Sequence, residues 1–480
     1  MALAAPLAVL CGALQAVHAG DVPACSASSG ARAGWEVSFK AACTDAQGER
    51  AGGSQILHLV AHKGQLYAAN GYWMDSNNAR YGGANPASGW AQVLRLPRPD
   101  APWMVDLSLG PQHMRTELLT SVTFTQDGLG GALETPATRL LAATFDSGGF
   151  GGISLFMRND ENGGWTRSAV IPGATGRRGE DNSVRTALVH RDRVTGREHL
   201  FLSVGVLGLF RANFEPGSPG RLLWSQAPEW VPERTRILGM TVANGTLVVS
   251  DGQRVMRRID GPEPRYEEIA DFSHDIDANT NRETFSAIGG IRGLTAVHGP
   301  VPGRQSLLLV WHSGRLSRGC VIRLDPTSEG RWTRHPEVCL ADLVAARLGL
   351  RVDFVMGAYN QFLAVPSEGG TVHLAGVQAF VSGRASASVT APDQRRGSGG
   401  FYAGAQLALR SAAGEWRLRE VNGRFERGGQ PLVAAYTAAI SPFGGRDAGR
   451  LYVGGYDPNF FSSTDTGWVF STNLGALLAP

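Results

Sequence analysis

The residues best suited to chemistry are histidine, tyrosine and arginine side chains next to apolar, strand-like segments. His312 and Arg315 follow one such segment, Tyr72 follows a second, and Tyr456 ends a third. In one pocket, arginine can neutralise a carboxylate while histidine or tyrosine takes and delivers a proton. These residues predict β-elimination on a uronic acid polysaccharide. A structural role for each of them is the alternative.

A second set of residues is predicted to bind a ligand. Flat aromatic rings stack on the apolar face of a sugar, and arginine pairs with carboxylate or sulfate through two parallel hydrogen bonds. The candidates lie in loops that follow or connect the strand-like segments: Trp73, Asp75, Asn77, Arg80, His113, Arg115, Arg185 and Asp457. Surface loops of any exported protein are rich in such residues, and aspartate after a strand often forms a turn. An ordinary solvated loop is therefore the alternative.

One polar segment has the spacing of a calcium-binding loop. Oxygen-bearing side chains alternate along it, at Asp275, Asp277, Asn279, Asn281 and Glu283. Such alternation lets a chain wrap around a hard cation, although Thr280 stands where these loops need glycine for a sharp turn. The segment is interpreted either as a calcium site or as a solvated polar loop. No other cofactor is predicted.

A repeated strand unit must position these candidates. A short apolar strand recurs seven times, beginning at Gln65, Arg139, His199, Thr246, Ser306, Thr371 and Arg450. A strand-opening aromatic residue recurs as often, at Trp35, Trp103, Trp165, Trp224, Tyr266, Trp332 and Trp416. Short apolar runs between tight turns are typical of the buried strands of propeller blades. The repeat predicts an all-β fold, a seven-bladed β-propeller that occupies residues 20–480 as a single domain.

The N-terminal strand is predicted to close the ring. The last repeat ends at residues 468–471 without an outer strand, whereas residues 34–39 resemble an outer strand and have no repeat of their own. Pairing the two segments completes the last blade and removes an exposed sheet edge. An unclosed array is the alternative. A short helical insertion is predicted at about residues 341–349, between the fifth and sixth blades.

The N-terminus and the cysteines indicate an exported protein. Residues 1–19 form an apolar run that ends in small residues, which is typical of a signal peptide. Four cysteines remain beyond it, and an even number in an exported chain favours disulfides over a metal site. We expect Cys25 to pair with Cys43, and Cys320 with Cys339 across a hairpin. The predicted location is secreted or periplasmic.

Charge and hydropathy exclude some partners. The net charge of +3 is too small to indicate a nucleic-acid or membrane-surface partner. No later run approaches the roughly 18 apolar residues of a membrane span. We expect a monomer that binds a glycan or another extracellular ligand.

Over the mature chain, the repeat resembles secreted bacterial seven-bladed β-propellers. Residues 463–468 resemble a truncated Asp-box of the sialidase type, but this segment stands alone and precedes a strand instead of following one. Polysaccharide lyases of the same architecture, some of which carry calcium, are similar in having histidine, tyrosine and arginine on one face. The resemblance implies ligand binding on the face where the loops converge.

Three functions remain open. The first is an exported propeller that binds an extracellular or periplasmic ligand, which we expect to be a polysaccharide. The second is a lyase that acts by β-elimination on a glycan containing uronic acid. The third is a periplasmic scaffold or a metal-binding propeller.

Overall fold

The computed structural model describes most of the chain. The described residues are 23–25, 31–32, 34–72, 90–110, 113–146, 152–173, 183–233, 236–275, 289–314, 317–383, 400–421, 434–457 and 465–479.

The described strands form seven four-stranded blades, which confirms the predicted β-propeller. Five blades are separate sheets, and one eight-stranded sheet contains the other two, because Gly71 of blade 1 pairs with Arg115 of blade 2. Strands within a blade are antiparallel, as expected when short loops connect them. In chain order from the channel outwards we call them inner, second, third and outer.

The strands of the first four blades are regular. Blade 1 contains Gln55–His62, Gln65–Gly71, Gln92–Leu96 and Met104–Ser108. Blade 2 contains His113–Gln126, Ala132–Asp146, Ile153–Arg158 and Trp165–Ile171. Blade 3 contains Val184–Arg191, Glu198–Val204, Gly208–Phe214 and Leu222–Trp224. Blade 4 contains Met240–Ala243, Thr246–Ser250, Arg254–Ile259 and Arg265–Asp271.

The last three blades carry the irregular elements. Blade 5 contains Gly290–His298, Gln305–His312, Cys320–Pro326 and Trp332–Cys339. In blade 6 the inner strand is split into Arg351–Gly357 and Leu363–Ser367, followed by Gly370–Ser382, Gly400–Tyr402, Gln406–Arg410 and Trp416–Glu420. Blade 7 contains Ala434–Ile440, Arg450–Tyr456 and Trp468–Asn473.

A few short elements lie beside the blades. Helix α1 spans Leu340–Leu348, between blades 5 and 6, where the sequence predicts a helical insertion, and helix α2 spans Leu474–Leu478. The others are the strand Ala31–Arg32, a small hairpin of Cys43–Thr44 and Arg50–Ala51, and the 3-10 turns Pro219–Arg221 and Gly445–Asp447. Within the described ranges, no helix is long and apolar enough to cross a membrane.

The N-terminal strand closes the ring, as predicted. Trp35–Lys40 is the outer strand of blade 7 and pairs antiparallel with Trp468–Asn473. Both predicted disulfides are confirmed: Cys25 is bonded to Cys43, and Cys320 to Cys339, which is its direct partner across the hairpin of blade 5. The predicted signal peptide, residues 1–19, lies outside the described residues and stays a prediction.

Neighbouring blades are held together by apolar cores and by buried ion pairs. Phe39 of blade 7, for example, packs edge-on against Trp103 of blade 1, with ring centroids 5.8 Å apart. Such burial is the main stabilising term in a fold of this kind.

One polar contact between blades recurs, and we call it the interblade clamp. In it, an arginine at the end of a third strand and an aromatic residue at the start of an outer strand both donate to one carboxylate of the preceding blade. Arg410 and Trp416 of blade 6 bind Glu337 of blade 5 in this way. The clamp is repeated by Arg158 and Trp165 with Asp106, and by Arg258 and Tyr266 with Glu229.

Candidate ligand-binding site in the central channel

The split in the inner strand of blade 6 sends a short segment across the central channel. This channel segment, residues 358–362, is anchored on two other blades. The amide Nδ2 of Asn360 donates to the Leu57 carbonyl of blade 1 at 2.8 Å, and Nε2 of Gln361 donates to the Met240 carbonyl of blade 4 at 3.2 Å. The segment therefore fixes its remaining side chains, including Tyr359, in the channel.

Backbone geometry explains how the channel segment leaves the sheet. Ala358 has a φ of 48°, in the left-handed region that residues other than glycine seldom adopt. Gly293 of blade 5 has a φ of 66°, and a Cβ there would lie 2.4 Å from the Cβ of Ala358. A larger residue at position 293 would therefore displace the start of the segment.

Bulges near the start of several inner strands turn further side chains toward the channel. Blade 2 has one extra residue at Glu117, and blade 7 has one at Tyr436. The inner strands of blades 1, 3 and 5 have register shifts at the corresponding point. A β-bulge re-aims a side chain that would otherwise alternate with its neighbours. In blades 2 and 7 the bulge thus places Glu117 and Tyr436 at one level of the channel.

An arginine–tyrosine group lies at this level. The Tyr359 hydroxyl accepts hydrogen bonds from Nη2 of Arg115 at 2.7 Å and from Nη1 of Arg185. Glu117 pairs with both arginines, at 2.9 Å from Nη1 of Arg115 and 3.5 Å from Nη1 of Arg185. All four residues are buried. Gly71 allows this arrangement, because a Cβ on it would lie 2.7 Å from Cγ of Arg115.

Two more buried arginines make the site electropositive. The guanidinium of Arg292 lies 5.5 Å from the centre of the Tyr359 ring. Burial and the positive charges of Arg236 and Arg185 lower the pKa of Arg292 to about 9. Its charged form is therefore disfavoured by its surroundings, although it still carries a proton at neutral pH. We call the whole group the channel cluster: Arg115, Glu117, Arg185, Arg236, Arg292, Tyr359 and Tyr436.

Three tyrosines in contact differ in how readily they ionise. Tyr436 stacks on Tyr359 and donates to the Tyr456 hydroxyl at 3.0 Å. Burial and the neighbouring tyrosine raise the pKa of Tyr436 and Tyr456. Burial also opposes ionisation of Tyr359, but the positive charges of Arg115 and Arg185 outweigh it and lower its pKa. Tyr359 is thus the one of these three tyrosines whose pKa is lowered.

The histidines of the channel are neutral. Burial lowers the pKa of His58 to about 4, and its Nε2 donates to the Glu117 carbonyl at 2.8 Å. Burial, together with the charge of Arg292, lowers the pKa of His312 to about 3. Nε2 of His312 lies 3.5 Å from the backbone N–H of Gly357. A histidine this hard to protonate is a weak general base at neutral pH.

A cavity of about 220 Å³ lies beside the channel cluster. Its polar lining includes His58, Arg185, Asn360, Tyr436 and Thr437, and its apolar lining includes Leu118, Phe362, Leu374 and Leu407. This volume is below the roughly 300 Å³ at which sites for drug-sized ligands begin. The cavity therefore suits one sugar-sized molecule, not a length of polymer.

The structure brings some of the predicted site residues together. Arg115 and Arg185 meet at Tyr359, and Tyr456 belongs to the adjoining tyrosines. Tyr72 instead packs in the core shared by blades 2 and 3, and its backbone N–H donates to the Met114 carbonyl.

Other predicted residues have separate surroundings. His113 is buried, with Nδ1 2.8 Å from the Thr144 hydroxyl. Asp457 is buried just after the second strand of blade 7. Arg315, Trp73, Asp75, Asn77 and Arg80 lie outside the described residues.

The predicted calcium loop is described at its first residue. Asp275 accepts a hydrogen bond from Nη1 of Arg334 at 2.6 Å. Asp277, Asn279, Asn281 and Glu283 lie outside the described residues. Elsewhere in the described ranges, no group of three or more histidine, cysteine, aspartate or glutamate side chains could hold a metal ion. Calcium stays a prediction.

Sequence reasoning missed the residues at the centre of the site. These are Glu117, Arg236, Arg292, Tyr359 and Tyr436. A signal for three of them exists, since Glu117, Arg292 and Tyr436 all lie near the start of an inner strand. Aligning the repeats on their inner strands would have exposed that position. Tyr359 has no counterpart in the repeat, because it lies in the split of blade 6.

Comparisons with known proteins add little about the site. No protein-family model matches the chain, and no curated protein matches it. An α-L-arabinofuranosidase of Fusarium graminearum is 11% identical, with a TM-score of 0.40 over 88% of this chain and 94% of that chain. A Xanthomonas campestris gluconolactonase is 11% identical, with a TM-score of 0.36 over 94% of this chain and 96% of that chain. A six-bladed lectin of Aleuria aurantia is 12% identical, with a TM-score of 0.34 over 78% of this chain and 97% of that chain. No argument about ligand or activity follows from these likenesses.

Proposed function

We propose that this protein binds a small carboxylated sugar, or the acidic end residue of a glycan, in the cavity beside the channel cluster. The observation that carries the proposal is the density of buried positive charge. Burial and the charges of Arg236 and Arg185 together lower the pKa of Arg292 to about 9, which means that an anion placed among these groups would be stabilised.

The chemistry of the arginines favours a carboxylate or a similar oxyanion. A guanidinium group presents its N–H donors in a planar fork that matches a carboxylate, and it keeps its charge when buried. Arg185 also lines the cavity, so a ligand there can reach the positive charge.

The remaining cavity lining suits a sugar ring. Tyr436, Asn360 and Thr437 offer hydroxyl and amide groups for sugar hydroxyls, while Leu374 and Leu407 offer apolar surface.

The two disulfides support the binding of an acidic glycan. The two disulfides, Cys25–Cys43 and Cys320–Cys339, persist in oxidising compartments, where acidic glycans are also found. We therefore infer that the protein acts outside the cytoplasm.

The polysaccharide lyase is the second candidate, favoured by the hydrogen bonds that Arg115 and Arg185 donate to the Tyr359 oxygen. The periplasmic scaffold and the metal-binding propeller stay predictions.

Titration calorimetry of the full chain tests the binding function. We expect galacturonate or glucuronate to bind, and galactose and glucose, which lack the carboxylate, to bind at least about tenfold more weakly; this corresponds to about 1.4 kcal/mol. Arg185→Gln, which removes the guanidinium that lines the cavity, should lose uronate binding, whereas Arg331→Gln, an exposed arginine of blade 5, should keep it. Equal binding of acidic and neutral sugars, or no uronate binding, would overturn the proposal.

A further inference from the structure

The central channel is accessible to solvent from the side of the turns between inner and second strands. In six blades the inner strand begins buried and becomes accessible partway along its length. All inner strands of a propeller run in one direction, so their accessible halves lie at the same end of the channel. We call this end the turn-side channel, and in each blade it contains a half-buried or exposed residue: Ala61, Thr120, Leu188, Thr241, Thr295, Ala364 and Thr437.

The channel segment marks where burial ends. Ala358 and Tyr359 are buried, Asn360 is half-buried and Gln361 is exposed. Asn360 and Gln361 also line the cavity. The segment therefore covers the inner end of the cavity, and solvent reaches it from the turn side.

The cavity lies on the turn side of the channel cluster. Leu118, which lines it, directly follows Glu117 in the inner strand of blade 2. In blade 7, Thr437 likewise follows Tyr436. Thr437 and Thr120 belong to both the cavity and the turn-side channel. A ligand in the cavity can therefore extend into the turn-side channel.

The turn-side channel offers hydrogen-bonding groups suited to sugar hydroxyls. The hydroxyl of Thr437 accepts from the backbone N–H of Leu59 at 2.9 Å, and that of Thr241 accepts from the N–H of Ala296 at 3.3 Å. A threonine hydroxyl that accepts one hydrogen bond still has its own hydrogen to donate. The inner strands of blades 3, 4, 5 and 7 are also sheet edges, which present backbone N–H and C=O groups.

Positive charge is confined to the inner end of this path. Among the described residues that line the cavity, Arg185 is the only one charged at neutral pH. The seven residues that define the turn-side channel are all neutral. Because burying a carboxylate without a partner is costly, a chain in this path is favoured when only its end residue is acidic.

We propose that the ligand is an otherwise neutral glycan capped by one uronate. Its acidic end residue occupies the cavity beside Arg185, and the next sugars lie in the turn-side channel. This inference rests on the proposed binding function and narrows it to one class of ligand. It also places ligand entry on the face opposite the one where the loops converge, because the channel segment lies between that face and the cavity.

Calorimetry of the full chain with three probes tests the ligand class. The probes are glucuronate, trigalacturonate, and a capped trisaccharide in which one glucuronate is linked to xylobiose. We expect the capped trisaccharide to bind at least about tenfold more tightly than glucuronate, because its neutral sugars add contacts in the turn-side channel. Trigalacturonate, with a carboxylate on every residue, should bind at least about tenfold more weakly than the capped trisaccharide.

Two variants test the position of the neutral sugars. Ala364→Trp places a large ring in the turn-side channel. It should weaken binding of the capped trisaccharide at least about tenfold and leave glucuronate binding within about twofold. Ala413→Trp, at an exposed alanine in the turn between the third and outer strands of the same blade, is the matched control and should change neither affinity. If Ala364→Trp does not fold, Ala61→Trp of blade 1 replaces it.

The outcomes separate this inference from the binding function. If no uronate binds, both are overturned. If glucuronate binds but the capped trisaccharide binds no more tightly, or if trigalacturonate matches the capped trisaccharide, this inference is overturned and the binding function stands. Unchanged binding of the capped trisaccharide by the tryptophan variant in the channel overturns the proposed route.

Discussion

The ring of Tyr359 lies flat against the ring of Tyr436, with centroids 4.0 Å apart and an angle of 8° between the planes. Tyr359 comes from the split inner strand of blade 6, and Tyr436 from the bulge in the inner strand of blade 7. Each irregularity removes a residue from regular pairing and turns its side chain inward. The candidate site is therefore built where the inner strands depart from regular pairing.

Replacing Arg292 should affect stability and binding in opposite directions. Arg292→Gln removes a buried charge that burial and Arg236 disfavour, so the free energy of unfolding should rise by roughly 1–4 kcal/mol. Urea unfolding measures this change, and calorimetry should show weaker uronate binding in the same variant. If Arg292→Gln is less stable than the wild type and binds uronate equally well, the proposal that buried positive charge binds the uronate is contradicted.

Acid should destabilise the protein through its buried histidines. An unfolded histidine binds a proton near pH 6.5, whereas the pKa of folded His58 is about 4 and that of folded His312 about 3. Their contribution to stability is full above about pH 6.5 and is lost as the pH falls toward these folded values.

Urea unfolding at about pH 6.5 and about pH 4.5 checks this pH dependence. Since one proton per pH unit corresponds to about 1.4 kcal/mol, each histidine should contribute roughly 2–3 kcal/mol to the loss over this window. His58→Gln and His312→Gln should each reduce the loss by that amount. A variant with the same pH dependence as the wild type would contradict the assignment.

Removing the carboxylate of an interblade clamp should destabilise the ring. Burial opposes ionisation of Glu337, but hydrogen bonds from Arg410 outweigh it and lower its pKa. Glu337→Gln leaves the buried Arg410 without its counter-ion, which should cost roughly 3–5 kcal/mol in urea unfolding. Glu329→Gln, which removes an exposed partner of Arg331 in the same blade, should change stability by about 1 kcal/mol or less. Similar effects of the two substitutions would contradict a structural role for the clamp.

Weakening the closing strand should loosen blade 7 before the rest of the ring. Phe39 is 2% exposed and fills the core between blades 7 and 1, so Phe39→Ala should cost roughly 3–5 kcal/mol. Hydrogen exchange should accelerate first in the amides of Trp468–Asn473, which pair with the closing strand. Glu36→Ala, a neighbouring exposed residue paired with Arg450, is the control and should leave exchange unchanged. Uniform acceleration around the ring would argue against closure by this strand.

The fold was predictable because the sequence features that indicate it are local and repeated. The apolar strands and the spacing of Cys320 and Cys339 predicted the blades and the hairpin register, and both are confirmed. The recurring strand-opening aromatic residues have a physical cause that the sequence alone did not reveal. In three blades, such as blade 6 with Arg410 and Trp416, both residues serve one carboxylate of the preceding blade.

The candidate site was only partly predictable, because its geometry depends on contacts between distant blades. Arg115 and Arg185 were identified from their loop-like surroundings, but nothing local shows that both reach Tyr359. Glu117 lies within the inner strand of blade 2, at the bulge that interrupts the regular alternation of side chains there. Register shifts of this kind are set by tertiary pairing, so the periodicity of one strand does not reveal them.

The clamps join blade 1 to blade 2, blade 3 to blade 4 and blade 5 to blade 6, while blade 7 is made from both ends of the chain. The ring therefore consists of three pairs of clamped blades and one blade that closes it. Because the Cys25–Cys43 disulfide encloses Trp35–Lys40 in a covalent loop, a force applied to the N-terminus bypasses the strand that closes the ring until the disulfide is reduced.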